Sequence, residues 1–313
     1  MTMPQLQFFS DDGYEDAIQI LEHSSDHRIL RRVDFPAHAI ALTDLPHHER
    51  CIVRNGIFLD TETTGMDHET DEVIQLCMMP FRFAVDGETK ESYLIEVQKP
   101  YIGLREPGKP VPEEIVQLTG ITNEMLKGQS LDLEAIEELI AGADIIAAHN
   151  AKFDRPFAHK ITESFAGKYW GCSISDVNWA GQGFESMKLS LLAVELGMFF
   201  DAHQADKDCL AALAILAQNT PEGDSYFSQM ITGARTTTVT LRAQYTPFET
   251  KDLLKTRGYY WRDGSDGTIK GWEISVPADK ALEEKEWLQS EVYGGGEASI
   301  DERELTGLTR FSK

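Results

Sequence analysis

Residues 56–65 read GIFLDTETTG, and this stretch limits the folding choices of the chain more than any other. The apolar run Ile57-Phe58-Leu59 leads into Asp60 and Glu62, which are separated by one threonine. A strand repeats every two residues, so both carboxylates point to one face at the end of a buried strand. Acids placed this way repel, and each raises the pKa of the other. Burying unpaired charge is costly. A bound divalent cation removes that cost and turns it into affinity. Oxygen ligands favour Mg2+ or Mn2+ over Zn2+. The competing reading is a strand that runs out into a solvated acidic turn.

The pattern around this strand predicts an α/β fold. DEVIQLCMMPFRF (71–83) and KESYLIEVQKP (90–100) read as two further strands. The short loops between them make the three antiparallel neighbours. PEEIVQLTG (112–120) has the proline start and glycine stop of a helix. LDLEAIEELIAGA (131–143) has helical apolar spacing, and DIIAAHN (144–150) reads as a short buried strand. FDRPFAHKITESF (153–165) is helical, with Pro156 expected in its first turn. LSLLAVELGM and ADKDCLAALAILAQ add two helices. Three strands, helices, one strand and more helices suit a mixed sheet with helices on its faces. We therefore expect three parts: a helical extension over residues 1–50, a main domain over 51–222, and a small α+β module with a loose tail over 223–313.

Charge bears on partners. The 313 residues carry 52 acids against 29 lysines and arginines, a net charge of −23. This opposes tight non-specific binding to nucleic acid, which lysine and arginine drive at phosphates. It suits an acidic site that recruits cations. Four scattered cysteines form no CxxC pair, no apolar run is long enough to span a bilayer, and the first residues lack the pattern of a secretory signal. A reducing, cytoplasmic location is expected, with no membrane partner.

Two further clusters carry possible chemistry. In AAHNAKFDRPF, His149, Asn150 and Asp154 fall where a strand ends and a helix starts. Asp154 either points back toward a shared site or only complements the helix dipole. In AHQADKDCLAALAIL, His203 and Asp208 are five positions apart. On one continuous helix they would sit roughly 140° apart. They share a site only if His203 lies in the loop just ahead of the helix. Asp206 is expected to be a helix-start residue, not a ligand.

Together the three clusters resemble the DEDDh class of 3′→5′ exonucleases, which includes the proofreading epsilon subunit of bacterial DNA polymerase III. The carrying residues are Asp60-Thr61-Glu62-Thr63-Thr64-Gly65, His149 to Asp154, and His203 with Asp208. The segment LTGIT (118–122) resembles the part of these enzymes that lies near the substrate strand. The resemblance covers about half of the chain. It implies a ribonuclease H-like fold and hydrolysis of phosphodiester bonds with two Mg2+ or Mn2+ ions. Asp60, Glu62 and Asp208 would hold the first ion, with Asp60 bridging to the second, and Asp154 would support the second through water. His203 would be the general base, a role that suits the histidine side chain because free imidazole accepts a proton near neutrality. Thr63, Thr64, Leu118 and Asn150 would meet the terminal nucleotide, and His149 is read as structural. The expected substrate is the 3′ end of DNA, single-stranded for preference. RNA 3′-end trimming is the alternative, and a catalytically silent binding or scaffold subunit is the alternative from another class.

The flanks add two readings. QLQFF, Gln5 to Phe9, resembles the peptide by which bacterial replication proteins dock on the sliding clamp, which would make a clamp or polymerase a partner. FETKDLLKTRGYYW resembles a tail module found on some bacterial exonucleases of this class. Its Tyr259, Tyr260, Trp261 and Trp272, interleaved with lysines and arginines, either form a small buried core or stack on single-stranded bases.

Overall fold

The computed structural model describes residues 11–33, 39–45, 47–221, 223–265 and 267–312, with the backbone alone for 11–15. Gln5 to Phe9 lies outside the described residues. Helix α1 (Asp11–Glu22) is followed by a two-residue strand, β1 (Arg31–Arg32). The main sheet begins with β2 (Cys51–Thr63), β3 (Val73–Asp86), β4 (Ser92–Val97) and β5 (Tyr101–Leu104). Helices α2 (Glu113–Thr119), α3 (Asn123–Leu126) and α4 (Leu133–Gly142) lead to β6 (Ile145–Ala148), α5 (Ala151–His159) and β7 (Tyr169–Cys172). Then come α6 (Leu189–Glu195), β8 (Met198–Phe199), α7 (Ala205–Leu216) and α8 (Tyr226–Arg235). The rest comprises β9 (Thr238–Gln244), α9 (Lys251–Thr256), β10 (Tyr260–Arg262), β11 (Gly271–Pro277), α10 (Ala281–Trp287) and β12 (Ile300–Leu305).

The main sheet has the order β4-β3-β2-β6-β7, with β5 also on β3. β4, β3 and β2 are antiparallel neighbours, as the short loops predict, while β6 and β7 add in parallel. Period-two alternation sorts the side chains to two cores. Phe58, Met79, Phe81 and Phe83 meet the α6, α7 and α8 side, whereas Ile57, Leu59, Leu76 and Met78 meet α4 and α5. Phe81 and Phe83 form an aromatic cluster with Phe227 of α8, at ring separations of 5.6 and 5.7 Å. Gly56 is required here, because a Cβ would overlap the Phe81 ring.

Several expectations need correction. Pro156 does not sit in the first turn of its helix. The helix starts at Ala151, directly after Asn150 in left-handed backbone (φ 77°), so the proline falls inside it. β5 and β7 were not foreseen, since four-residue strands carry too little periodicity to stand out. A boundary at residue 222 cuts ahead of α8, whose Tyr226, Phe227, Met230 and Ile231 belong to the main core.

The tail after residue 294 is not loose. β12 pairs antiparallel with β9 and completes a second sheet of order β10-β11-β9-β12. Beyond it, residues 306–311 return to the main domain. Trp170 N–H on β7 donates to the Gly307 carbonyl at 2.8 Å. Arg155 of α5, only 1% exposed, donates to the carbonyls of Leu308, at 2.6 Å, and Arg310. The docked segment satisfies an edge strand and a buried guanidinium at once. The amino-terminal segment is also tied down. β1 pairs in parallel with β8, Arg32 contacts Asp201 at 2.7 Å, and Val33 enters the main core.

Candidate active site

β2 builds the floor of the site. Its pairing with β6 ends at Leu59↔Ala148, so Asp60 to Thr63 run on without a neighbour on that side. The Thr61 N–H there finds the Asp154 carboxylate instead, at 3.1 Å, and the Thr61 hydroxyl donates to the same oxygen at 2.8 Å. Asp154 comes from the first turn of α5 and is buried. The left-handed turn at Asn150 reverses the chain from β6 into that helix.

On the opposite face, α7 brings in Asp208. Gln204 caps this helix, and its N–H donates to the Asp208 carboxylate at 3.0 Å. His203 lies in the bend ahead of the helix, exposed, with left-handed backbone (φ 65°). It therefore escapes the 140° separation that a continuous helix would impose. Asp206 instead contacts Lys207 at 3.3 Å and lies outside the acidic cluster.

One carboxylate oxygen each of Asp60, Glu62 and Asp208 falls within 4.8 Å of the others. Burial raises the Asp60 pKa well above the usual range, and the charges of Asp154, Glu62 and Asp208 add to it. Glu62 is pushed up to about 7 by burial and by Asp208. Burial likewise raises Asp154 to about 7, against its bonds from Thr61. Asp208 rises to about 6 by burial, with the Gln204 N–H and nearby His203 opposing. Among the described residues, no lysine or arginine forms an ion pair with any of the four acids. Three convergent carboxylates without a cationic partner form a donor set suited to a hard divalent ion. That composition fits Mg2+ or Mn2+.

The other candidate residues occupy distinct places. The Thr63 hydroxyl donates to the Gly65 carbonyl at 2.6 Å, and the Thr64 hydroxyl donates to Asp71 at 2.9 Å. Both threonines are buried, so these hydroxyls fold the turn. Leu118 is 51% exposed on α2, and Asn150 is exposed. His149 is held on both sides. Its Nε2–H donates to the Met187 carbonyl at 2.9 Å, which leaves Nδ1 to accept from the Ser173 hydroxyl at 2.7 Å. Burial lowers its pKa to about 4, so it is neutral near pH 7.

Sequence reasoning missed three supporting residues. Asp71 accepts from both the Thr64 hydroxyl and the Asp67 N–H, which locks the turn after β2. His68 bonds the Phe153 carbonyl at 3.1 Å and packs its ring 4.8 Å from Phe157. Arg155 anchors the tail. Only Arg155 left a signal, as a charged residue directly beside a motif acid.

The fold and this acid cluster define a nuclease site. A family model for exonucleases of the RNase T type matches residues 57–216, and the chain belongs to that family. It is 31% identical over 159 residues to the DNA polymerase III subunit epsilon of Aquifex aeolicus, covering 49% of this chain and 73% of that one. It is 27% identical over 173 residues to the PolC-type DNA polymerase III of Clostridium perfringens, covering 53% of this chain but 11% of the relative. It is 31% identical over 162 residues to the 3′-5′ exonuclease DinG of Bacillus subtilis, covering 49% of this chain and 16% of that protein. No helix among the described residues is long and apolar enough to cross a membrane.

Proposed function

We propose that the chain releases nucleoside 5′-monophosphates from the 3′ ends of single-stranded DNA. The convergence of Asp60, Glu62 and Asp208 carries this reading. Asp60, Glu62 and Asp208 would hold one ion, with Asp60 shared and Asp154 reaching a second through water. When bound, such a pair supplies charge stabilisation to the phosphate oxygens and an acidified water. His203, exposed just ahead of the helix that carries Asp208, takes the proton of the attacking water. Asp208 keeps its orientation through the Gln204 N–H. Leu118 and Asn150 present free surface to the terminal nucleotide, whereas Thr63 and Thr64 contribute through the shape of their turn. The 3′ polarity follows the DEDDh motifs and the likeness to the 3′-5′ exonuclease DinG.

The test is digestion of 3′-labelled single-stranded DNA, duplex DNA and RNA side by side, each with Mg2+ and with Mn2+. Fastest loss of label from single-stranded DNA is expected, and faster loss from RNA would replace this substrate by the other. His203→Ala should lower kcat about 100-fold, at the modest end for general-base removal. It should leave Mn2+ affinity near wild type, and equal loss of both would reject the base assignment.

The acid pKa values set a pH dependence. Glu62, Asp154 and Asp208 titrate in the fold at about 7, 7 and 6, above their ordinary values of 4.5, 3.8 and 3.8. The metal-free fold keeps protons that the unfolded chain has lost. Its stability therefore falls as pH rises from about 4 to about 7. Metal binding must displace those protons. The Mn2+-induced rise in Tm is expected to be largest near pH 8 and to shrink through pH 7 to 6, as scanning calorimetry with and without Mn2+ will read. A metal shift independent of pH would contradict the assignment.

A further inference from the structure

The second sheet carries a cleft that the carboxylate site does not use. Tyr245 and Phe248 come from the loop between β9 and α9. Trp261 of β10 and Trp272 of β11 are cross-strand partners, with ring centroids 5.5 Å apart in an edge arrangement. Lys251 and Lys270 complete the walls of a space of about 350 Å³.

Three of these aromatics do not form core. Phe248 is 79% exposed, Tyr245 76% and Trp261 49%, whereas Trp272 and the neighbouring Tyr259 are buried. Tyr245 is also held in left-handed backbone (φ 53°), a costly conformation for an aromatic residue that gains no burial from it. Aromatic faces kept in water in this way mark binding surfaces.

Charge narrows the occupant. The chain as a whole has a net charge of −23, yet two lysines and no acid line this cleft. Neither lysine forms an ion pair among the described residues, and Lys251 Nζ sits 4.9 Å over the Phe248 ring. The nearby arginines differ, since Arg242 and Arg262 are both bound to Glu273. Flat aromatic faces beside unpaired lysines match a base and its flanking phosphates. The volume lies at the small end of ligand clefts and suits one nucleotide at a time. A face for a second copy of the chain would need roughly 800 Å² per partner.

We propose that this cleft binds single-stranded nucleic acid, stacking a base on Phe248, Tyr245 and Trp261 while Lys251 and Lys270 meet phosphates. The inference rests on the reading above that the substrate is a single strand. The C-terminal module then grips the strand that the acids shorten.

The test uses the full chain and fluorescein-labelled oligothymidylate, with Asp60→Asn as background so that the probe survives. Phe248→Ala and Trp261→Ala are each expected to weaken binding by about 5- to 150-fold, the span of base–aromatic stacking. Replacing both lysines by glutamine should lower the slope of log affinity against log salt by about 1.4, at about 0.7 per phosphate. In the Asp60-containing chain, the same four changes should leave cleavage of the p-nitrophenyl ester of thymidine 5′-monophosphate unchanged, because that substrate has no strand to grip. Unchanged oligonucleotide affinity in Phe248→Ala and Trp261→Ala overturns the proposal. So does light scattering that shows a wild-type dimer dissociated by Phe248→Ala with no loss of oligonucleotide affinity. If the ester is not cleaved by the wild-type chain but cleft-dependent binding remains, the exonuclease reading fails and the cleft stands.

Discussion

Asp60→Ala is expected to lower release of 3′ label at least about 1000-fold, a loss of several kcal/mol of metal-borne stabilisation. Asp60 lies within reach of the other three acids, and burial together with the charges of Asp154, Glu62 and Asp208 raises its pKa. That same position makes the wild-type residue a burden on the metal-free fold. Asp60→Asn, which keeps the shape and removes the charge, should therefore melt above wild type in a chelator at pH 8. Each kcal/mol gained is about 2–4 °C in a domain of similar size. Saturating Mn2+ should invert the order, because only the wild type gains the full binding free energy, about 2.7 kcal/mol at a hundredfold excess over Kd. Near wild-type activity in Asp60→Ala would sink the site. A chelator melt with wild type above Asp60→Asn would show that the acid is offset by something other than a cation.

Arg155→Ala should destabilise the fold by about 3 kcal/mol or more, read from the urea midpoint. The guanidinium is buried, yet its pKa falls only to about 10, through burial and the charge of Arg310, so it stays charged near pH 7. It bonds the Leu308 and Arg310 carbonyls and stands 5.4 Å from the Trp170 ring. Removing it strands two acceptors and opens a void beside Trp170. Arg155→Lys should not rescue, since an ammonium lacks the planar fork that serves both carbonyls. Deleting residues 306–313 should cost a comparable amount, and the two changes combined should cost less than their sum. A change under 0.5 kcal/mol for Arg155→Ala would mean that the tail docks without it.

Much of the site was legible because its signals are local. The spacing of Asp60 and Glu62 already placed both on one strand face, and the start of α7 already required His203 to precede the helix. The mixed sheet followed from three strands with short loops. What escaped has no local trace. β7 and β12 are short strands whose place depends on a neighbour. Trp170 and Arg155 meet a tail that lies 137 and 153 residues further on, counted to Gly307 and Leu308. α8 is absent from the sequence reading, and the packing of its Tyr226, Phe227, Met230 and Ile231 assigns it to the main core, with Phe227 against Phe81 and Phe83.

The amino-acid sequence by itself singled out the four acids and the histidine as candidates, and placed Asp60 and Glu62 on one strand face and Asp208 at a helix start, because periodicity and capping are properties of neighbouring residues. The tertiary structure alone decided that β2 outruns β6, so that Thr61 offers Asp154 an unpaired N–H and the acids converge. It also decided that Thr63 and Thr64 spend their hydroxyls on a turn, and that Tyr245, Phe248 and Trp261 stay in water while Tyr259 is buried. The reason is the same in each case: which polar group lacks a partner, and which ring lacks cover, depends on chain segments far apart in sequence.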